Sequence, residues 1–188
     1  MTSAYIISAC RSPVTPRGGA LAHLSLPDLA APILTAALTR AGIAPRQVDE
    51  VICSTALGPG GNPARSIALA AGLPEHVAGL SIDRQCAGDL DALALARQMI
   101  LSGAADIVVA GGAESYSRQP LRYRTFADSR PPEAYTQAPF TPWPERDPDM
   151  TDAAAALGRS QGISRQAQDE WAVESHAKAR AQLAPKAE

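Results

Sequence analysis

Short apolar runs alternate with segments of helical periodicity over the first 118 residues of the chain. The apolar runs have the length and character of buried strands and lie at residues 4–9, 49–56, 79–83 and 106–110. Helical spacing of apolar residues occurs between them, and each helical segment is followed by a glycine: residues 26–41, 66–71 and 86–102. Strands that alternate with helices predict an α/β layered sheet, in the order βαβαβαβ.

The pattern changes after residue 118. Residues 119–149 are rich in proline and hold most of the aromatic residues, which predicts an irregular lid or interface loop. Residues 150–183 are helical in character, with a first helix at 151–160 and a second that begins after the capping residue Ser164. We therefore predict a core at residues 1–118 and a partial loop region at 119–188.

The segment at residues 86–102 predicts a helix that is apolar nearly all round. Between Leu90 and Leu101 only Asp91, Arg97 and Gln98 are strongly polar. Such a helix is normally buried on most sides, and soluble monomers rarely expose large apolar patches. We expect it to lie between two sheets, the second supplied by a partner chain that is either a second copy or a different protein. The alternative is an alanine-rich helix whose small side chains expose little area.

Composition excludes several classes of function. Hydrophobic residues make up 46% of the chain, the net charge is −2, and no polybasic run is present, so neither nucleic acid nor an anionic membrane surface is an expected partner. The N-terminus lacks the pattern of a secretory signal, and we expect a cytoplasmic protein. The three cysteines and three histidines are widely spaced, without a C-x-x-C pair, so we expect neither a disulfide framework nor a metal site.

Cys86 is the candidate nucleophile. It follows a predicted strand and precedes a predicted helix, with Ala87 and Gly88 beside it. The free amide groups and the positive dipole end of a helix N-terminus favour a thiolate, which is the form competent for acyl transfer. The alternative is a small buried cysteine that packs as a hydrophobic residue, and we favour that interpretation for Cys10 and Cys53.

Nearly the whole chain resembles thiolases. Residues 81–120, SIDRQCAGDLDALALARQMILSGAADIVVAGGAESYSRQP, resemble the active-cysteine segment of that family. The resemblance extends upstream through residues 4–57 and 60–74, and downstream to MTDAAAALGRSQGISRQAQDEWAVESHAKARAQ, and it is weakest at residues 121–149. The combination of these segments is highly specific.

The resemblance implies a fold and a chemistry. Thiolases transfer acyl groups between coenzyme A thioesters, with coenzyme A and acyl-CoA as substrates and no permanently bound cofactor. Their duplicated halves form an αβαβα body in which the cysteine helix lies in the central layer, so the full sandwich would require a partner chain. Cys86 matches the cysteine that accepts the acyl group.

The sequence also departs from the family pattern. The second half of a thiolase supplies a histidine in a G-H-P motif, an asparagine in an N-E-A-F-like motif and a second catalytic cysteine, and neither of the first two motifs occurs here. The family glycine three residues after the nucleophile is Asp89, whose charge would repel a thiolate. A histidine often found near the coenzyme is replaced by Asp149. Glu114 and Ser115 are interpreted as turn residues at the end of a strand.

Two hypotheses follow from these observations. In the first, the chain is a subunit of a split, heteromeric thiolase and contributes Cys86, while a partner chain contributes the histidine and the second cysteine. In the second, the chain is a non-catalytic, thiolase-like scaffold that stabilises a partner. A cysteine hydrolase that uses His23, His76 or His176 has no local signature in its favour.

Overall fold

The computed structural model describes residues 3–183, with side chains described as far as residue 181. The helices and strands follow in the order α1 (Leu26–Ala41), β1 (Glu50–Ser54), α2 (Pro63–Ala70), β2 (Ala78–Ile82), α3 (Gly88–Ser102), β3 (Val108–Gly112), β4 (Arg122–Arg124), β5 (Glu133–Tyr135), α4 (Met150–Ser160) and α5 (Arg165–Leu183). The chain forms two compact units, Met1–Arg122 and Tyr123–Glu188. The predicted α/β class is confirmed, and each predicted helix forms.

The first unit is built on a parallel sheet of three strands in the order β2-β1-β3. The connections β1–α2–β2 and β2–α3–β3 cross the sheet in opposite directions, so two right-handed crossovers place α2 and α3 on opposite faces. The three strands end in register, with Ser54 opposite Ile82 on one side and opposite Gly112 on the other. The carboxyl ends of the strands therefore form one edge.

The central strand β1 is buried on both faces. Val51 and Cys53 lie in the core that β1 shares with α1 and α2, whereas Ile52 packs with Ala92 and Ala96 of α3. Because side chains alternate along a strand, one strand supplies both cores. This arrangement fixes α3 against the sheet through small residues.

Helix α1 forms over the predicted residues because local signals define both of its ends. Ser25 accepts a hydrogen bond from the backbone amide of Asp28, and the Asp28 carboxylate accepts one from the Ser25 amide, which completes a capping box. Gly42 ends the helix in the left-handed conformation at a φ of 68°.

The predicted first strand, at residues 4–9, is wrong. These residues form no regular secondary structure, and Ile6 is 79% exposed. A strand requires a neighbour that pairs with its backbone, and none of the described residues pairs with this segment. The sheet of the first unit therefore has three strands where four were predicted.

Helix α3 is covered on one side only. Gly88, Ala92 and Ala96 are buried, whereas Leu90 is 70% exposed and Leu93 and Leu95 are exposed as well. Leu80 on strand β2 is also exposed, on the face of the sheet where α3 lies. Within the described chain, one face of α3 is therefore buried as expected, whereas the other face is exposed.

The second unit contains β5, the helices α4 and α5, and all of β4 except its first residue, Arg122; β4 and β5 pair in a two-stranded sheet. Most of the segment before α4 is irregular, as its proline content predicts. Along the described part of the chain, no helix combines the length and the apolar character needed to cross a membrane.

Candidate active site around Cys86

Cys86 is exposed and lies at the edge where the parallel strands end. It occupies a single 3-10 turn, Gln85–Ala87, between the end of β2 and the start of α3. In open parallel sheets, ligands bind outside the carboxyl ends of the strands. The structure therefore places the predicted nucleophile at this edge with an exposed side chain.

The backbone of the turn adopts an unusual conformation directly before the cysteine. Gln85 has a φ of 49° and is the one non-glycine residue with positive φ in the described chain. The left-handed region costs such a residue about 1–2 kcal/mol, so surrounding contacts must maintain it. One such contact is the Asp83 carboxylate, which accepts a hydrogen bond from the Gln85 amide at 2.8 Å. The sequence contains no signal for this conformation.

The N-terminus of α3 has no side-chain cap. Ala87 occupies the N-cap position without accepting a hydrogen bond through its side chain, and Asp89 and Asp91 lie in the first turn. Arg84 forms an ion pair with Asp91 at 3.0 Å. Arg84 therefore pairs with Asp91 and not with Asp89.

The Asp89 side chain lies across the end of strand β3. A Cβ atom built on Gly112 would lie 1.7 Å from its Oδ1 atom, so the absence of a side chain at Gly112 makes room for this carboxylate. Asp89 is thus accommodated by a glycine on the neighbouring strand.

The start of α3 is pressed against the end of β1. A Cβ atom built on Gly88 would lie 1.7 Å from Ser54 Oγ and 2.7 Å from Ser54 Cβ. Ser54 is buried, so this contact fixes how far the first turn of α3 stands from the sheet. Cys86 lies two residues before Gly88 in the chain.

Glu114 makes more contacts than a turn residue requires. Its carboxylate accepts hydrogen bonds from the Thr55 hydroxyl at 3.0 Å and from the amides of Ala56 at 2.9 Å and Leu57 at 3.0 Å. The neighbouring Ser115 hydroxyl donates to the carbonyl of Leu24 at 2.7 Å. The two residues do lie at a strand end, as predicted, but the anchoring of the loop after β1 by Glu114 was missed.

The other cysteines lie in different surroundings. Cys53 is buried, and burial raises the pKa of its thiol to about 11, with smaller contributions in the same direction from the carboxylates of Asp89 and Glu114. This agrees with the predicted packing role. The buried packing role predicted for Cys10 is wrong, because Cys10 is partly exposed, and its sulfur lies 3.2 Å from a guanidinium nitrogen of Arg40.

In the second unit, Asp149 acts as a helix cap. Its carboxylate accepts hydrogen bonds from the backbone amide of Thr151 at 2.8 Å and from the Thr151 hydroxyl, and these bonds lower the pKa of Asp149. Asp149 thus stabilises the start of α4.

Comparison with known proteins agrees with this geometry. Residues 4–187 match the family described as "Thiolase, N-terminal domain". An acetyl-CoA acetyltransferase of Cupriavidus necator is 40% identical over an alignment that covers 96% of this chain and 48% of that protein. The crystal structure of the Bacillus anthracis acetyl-CoA acetyltransferase superposes with a TM-score of 0.85 at 34% identity, over 97% of this chain and 48% of that chain. The chain thus spans about half the length of these relatives, and it belongs to the thiolase family, whose N-terminal domain it matches.

Proposed function

We propose that this chain is the cysteine-bearing half of a thiolase and that Cys86 accepts the acyl group from a coenzyme A thioester. A complementary thiolase half, present as a partner chain, supplies the histidine and the second cysteine. The observation that carries the proposal is the exposed thiol of Cys86, which lies at the carboxyl edge of a parallel sheet and directly before an uncapped helix N-terminus.

The proposed step is a transthioesterification. The Cys86 thiolate attacks the thioester carbonyl, the new bond joins its sulfur to the acyl carbon, and the bond between that carbon and the coenzyme A sulfur breaks. Coenzyme A leaves as a thiolate and takes up a proton. A base must form the attacking thiolate and an acid must protonate the leaving group, and Cys86 alone cannot do both.

Acyl transfer to Cys86 is directly measurable. The chain, purified together with whatever polypeptide accompanies it, is incubated with isotopically labelled acetyl-CoA, quenched in acid and digested for mass spectrometry. We expect the label on the peptide that contains Cys86, no label after Cys86→Ser, and normal labelling after Cys10→Ser, which removes another accessible thiol. Labelling that survives Cys86→Ser would contradict the proposal.

Turnover should depend on the complementary half. We expect the isolated chain to catalyse neither thiolysis nor condensation, because the acid and base groups come from the partner. Turnover by the rigorously purified single chain would contradict this expectation.

The second candidate is a non-catalytic scaffold, and Asp89 is the observation that favours it. A carboxylate in the first turn of α3 disfavours a nearby thiolate. Alkylation of Cys86 by iodoacetamide across pH separates the two functions. Reaction at neutral pH in the assembled complex supports catalysis, whereas a thiol that stays inert below about pH 9 supports a scaffold.

A further inference from the structure

Glu114 connects two segments that lie far apart in the sequence. Its carboxylate accepts hydrogen bonds from the Thr55 hydroxyl and from the amides of Ala56 and Leu57, and the Glu114 side chain is partly buried. On the other side of the same loop, a guanidinium nitrogen of Arg122 donates to the carbonyl of Ala56 at 2.8 Å. Glu114 therefore holds all three residues after β1, and Arg122 adds a hydrogen bond to the middle one.

This loop is in turn bonded to the segment that carries the nucleophile. The amide of Thr55 donates to the carbonyl of Ile82 at 3.1 Å, at the end of β2 and four residues before Cys86. Ser54, which precedes Thr55, fills the space beside Gly88 at the start of α3. The turn that contains Cys86 is thus fixed at both of its ends by residues 54 and 55.

We propose that Glu114 is a positioning residue for Cys86. By holding Thr55, it keeps the Ile82 carbonyl and the Gly88 contact in place, and these maintain the unfavourable conformation of Gln85, the residue directly before Cys86. The inference rests on the proposed function for what the positioned thiol does.

The chain offers a matched control at the opposite edge of the sheet. Asp49 also joins distant segments, because its carboxylate accepts hydrogen bonds from the amides of Asp106 at 2.8 Å and Ile107 at 2.9 Å. It lies beside the amino ends of β1 and β3, away from the turn that carries Cys86. Loss of either carboxylate removes backbone hydrogen bonds, but only the loss of Glu114 frees the Cys86 turn.

The experiment measures the rate at which iodoacetamide modifies Cys86 in the full-length chain, together with the melting temperature. We expect Glu114→Ala to slow modification about fivefold at constant pH, because Gln85 relaxes and the turn no longer holds Cys86 directly before the free amides of α3. Asp49→Ala should lower the melting temperature without changing the rate. Glu114→Gln should stay within about twofold of the original rate, since its amide oxygen can accept both backbone amides while its nitrogen donates to Thr55 Oγ1.

An unchanged or faster rate in Glu114→Ala would overturn the proposal, and so would an equal slowing in Asp49→Ala. If Glu114→Ala does not fold, Thr55→Val decides the matter, because it removes one hydrogen bond at similar volume. We then expect about twofold slower modification, and a rate equal to the original would count against the proposal. Failure of the proposed function is distinguishable, because Cys86 would then not take up acetyl from acetyl-CoA although the Glu114 variants still changed its alkylation.

Discussion

At the residue scale, the geometry of the candidate site depends on two glycines that leave room for polar side chains. Gly88 faces Ser54, and Gly112 faces Asp89. The two contacts differ in consequence. The Asp89 carboxylate ends an exposed side chain that can rotate away, whereas Ser54 is buried at the end of β1 and its Cβ atom cannot move without the strand.

We predict that Gly88→Ala lowers the free energy of unfolding by about 2 kcal/mol, because the new methyl group overlaps Ser54. Urea denaturation measures the loss. Gly111→Ala is the matched control, since a Cβ atom there meets no atom within 4 Å. In the double variant with Ser54→Gly, the loss should be smaller than the sum of the two single losses, and strict additivity would contradict the contact.

At the element scale, α3 presents two unlike faces. The face made of small residues is buried against β1 and β3, and the leucine-rich face is exposed. Within a thiolase half, this exposed face is where the proposed complementary half would pack. An apolar helix face is costly to leave in water, so its burial would favour association.

We predict that Leu90→Glu prevents association with the complementary half while the chain itself stays folded. Because Leu90 is 70% exposed, the substitution should change the unfolding free energy by no more than about 0.5 kcal/mol. Co-purification and sedimentation velocity measure association. Leu121→Glu, at another exposed leucine outside α3, should leave association intact. Recovery of Leu90→Glu in the same complex as the original chain would contradict the prediction.

At the scale of the whole molecule, stability responds to acid through carboxylates that hold backbone groups. Hydrogen bonds from Ile107 and Asp106 lower the pKa of Asp49, and hydrogen bonds from Ser25 lower the pKa of Asp28. A group whose pKa is lower in the folded state contributes stability above its unfolded pKa, and this contribution is lost as the pH falls through the folded pKa. Glu50 has the opposite effect on stability, since burial raises its pKa and its ionised form therefore disfavours the folded state.

We predict that Asp49→Asn destabilises the chain at pH 6 and that the difference from the original chain shrinks as the pH falls below about 4, because Asp49 of the unfolded chain is protonated first and the folded carboxylate follows at a lower pH. Urea midpoints between pH 6 and pH 3 measure the effect. Asp106→Asn retains the backbone amides that donate to Asp49 and serves as the control. A difference that stays constant over this range would show that charge is not the cause.

Local signals in the sequence were sufficient to predict an element wherever neighbouring residues in the chain define that element. The bounds of α1 were predicted in full, because Ser25, Asp28 and Gly42 act on the helix that they flank. The turn that carries Cys86 was also predicted, since a strand, a small-residue turn and a glycine-terminated helix follow one another. The segment at residues 4–9 was predicted as a strand on its apolar character, but a strand also needs a neighbour.

The sequence by itself determined the α/β order, the position of Cys86 before its helix and the motifs that resemble the thiolase family. Only the tertiary structure decided which residues hold that cysteine in place. Glu114 reaches Thr55 across 59 positions of the chain, and Gln85 adopts a conformation that its own residue type disfavours. The reason is physical: helix caps and apolar periodicity act within a few residues, whereas the hydrogen bonds and close contacts at the sheet edge exist only after three strands have aligned.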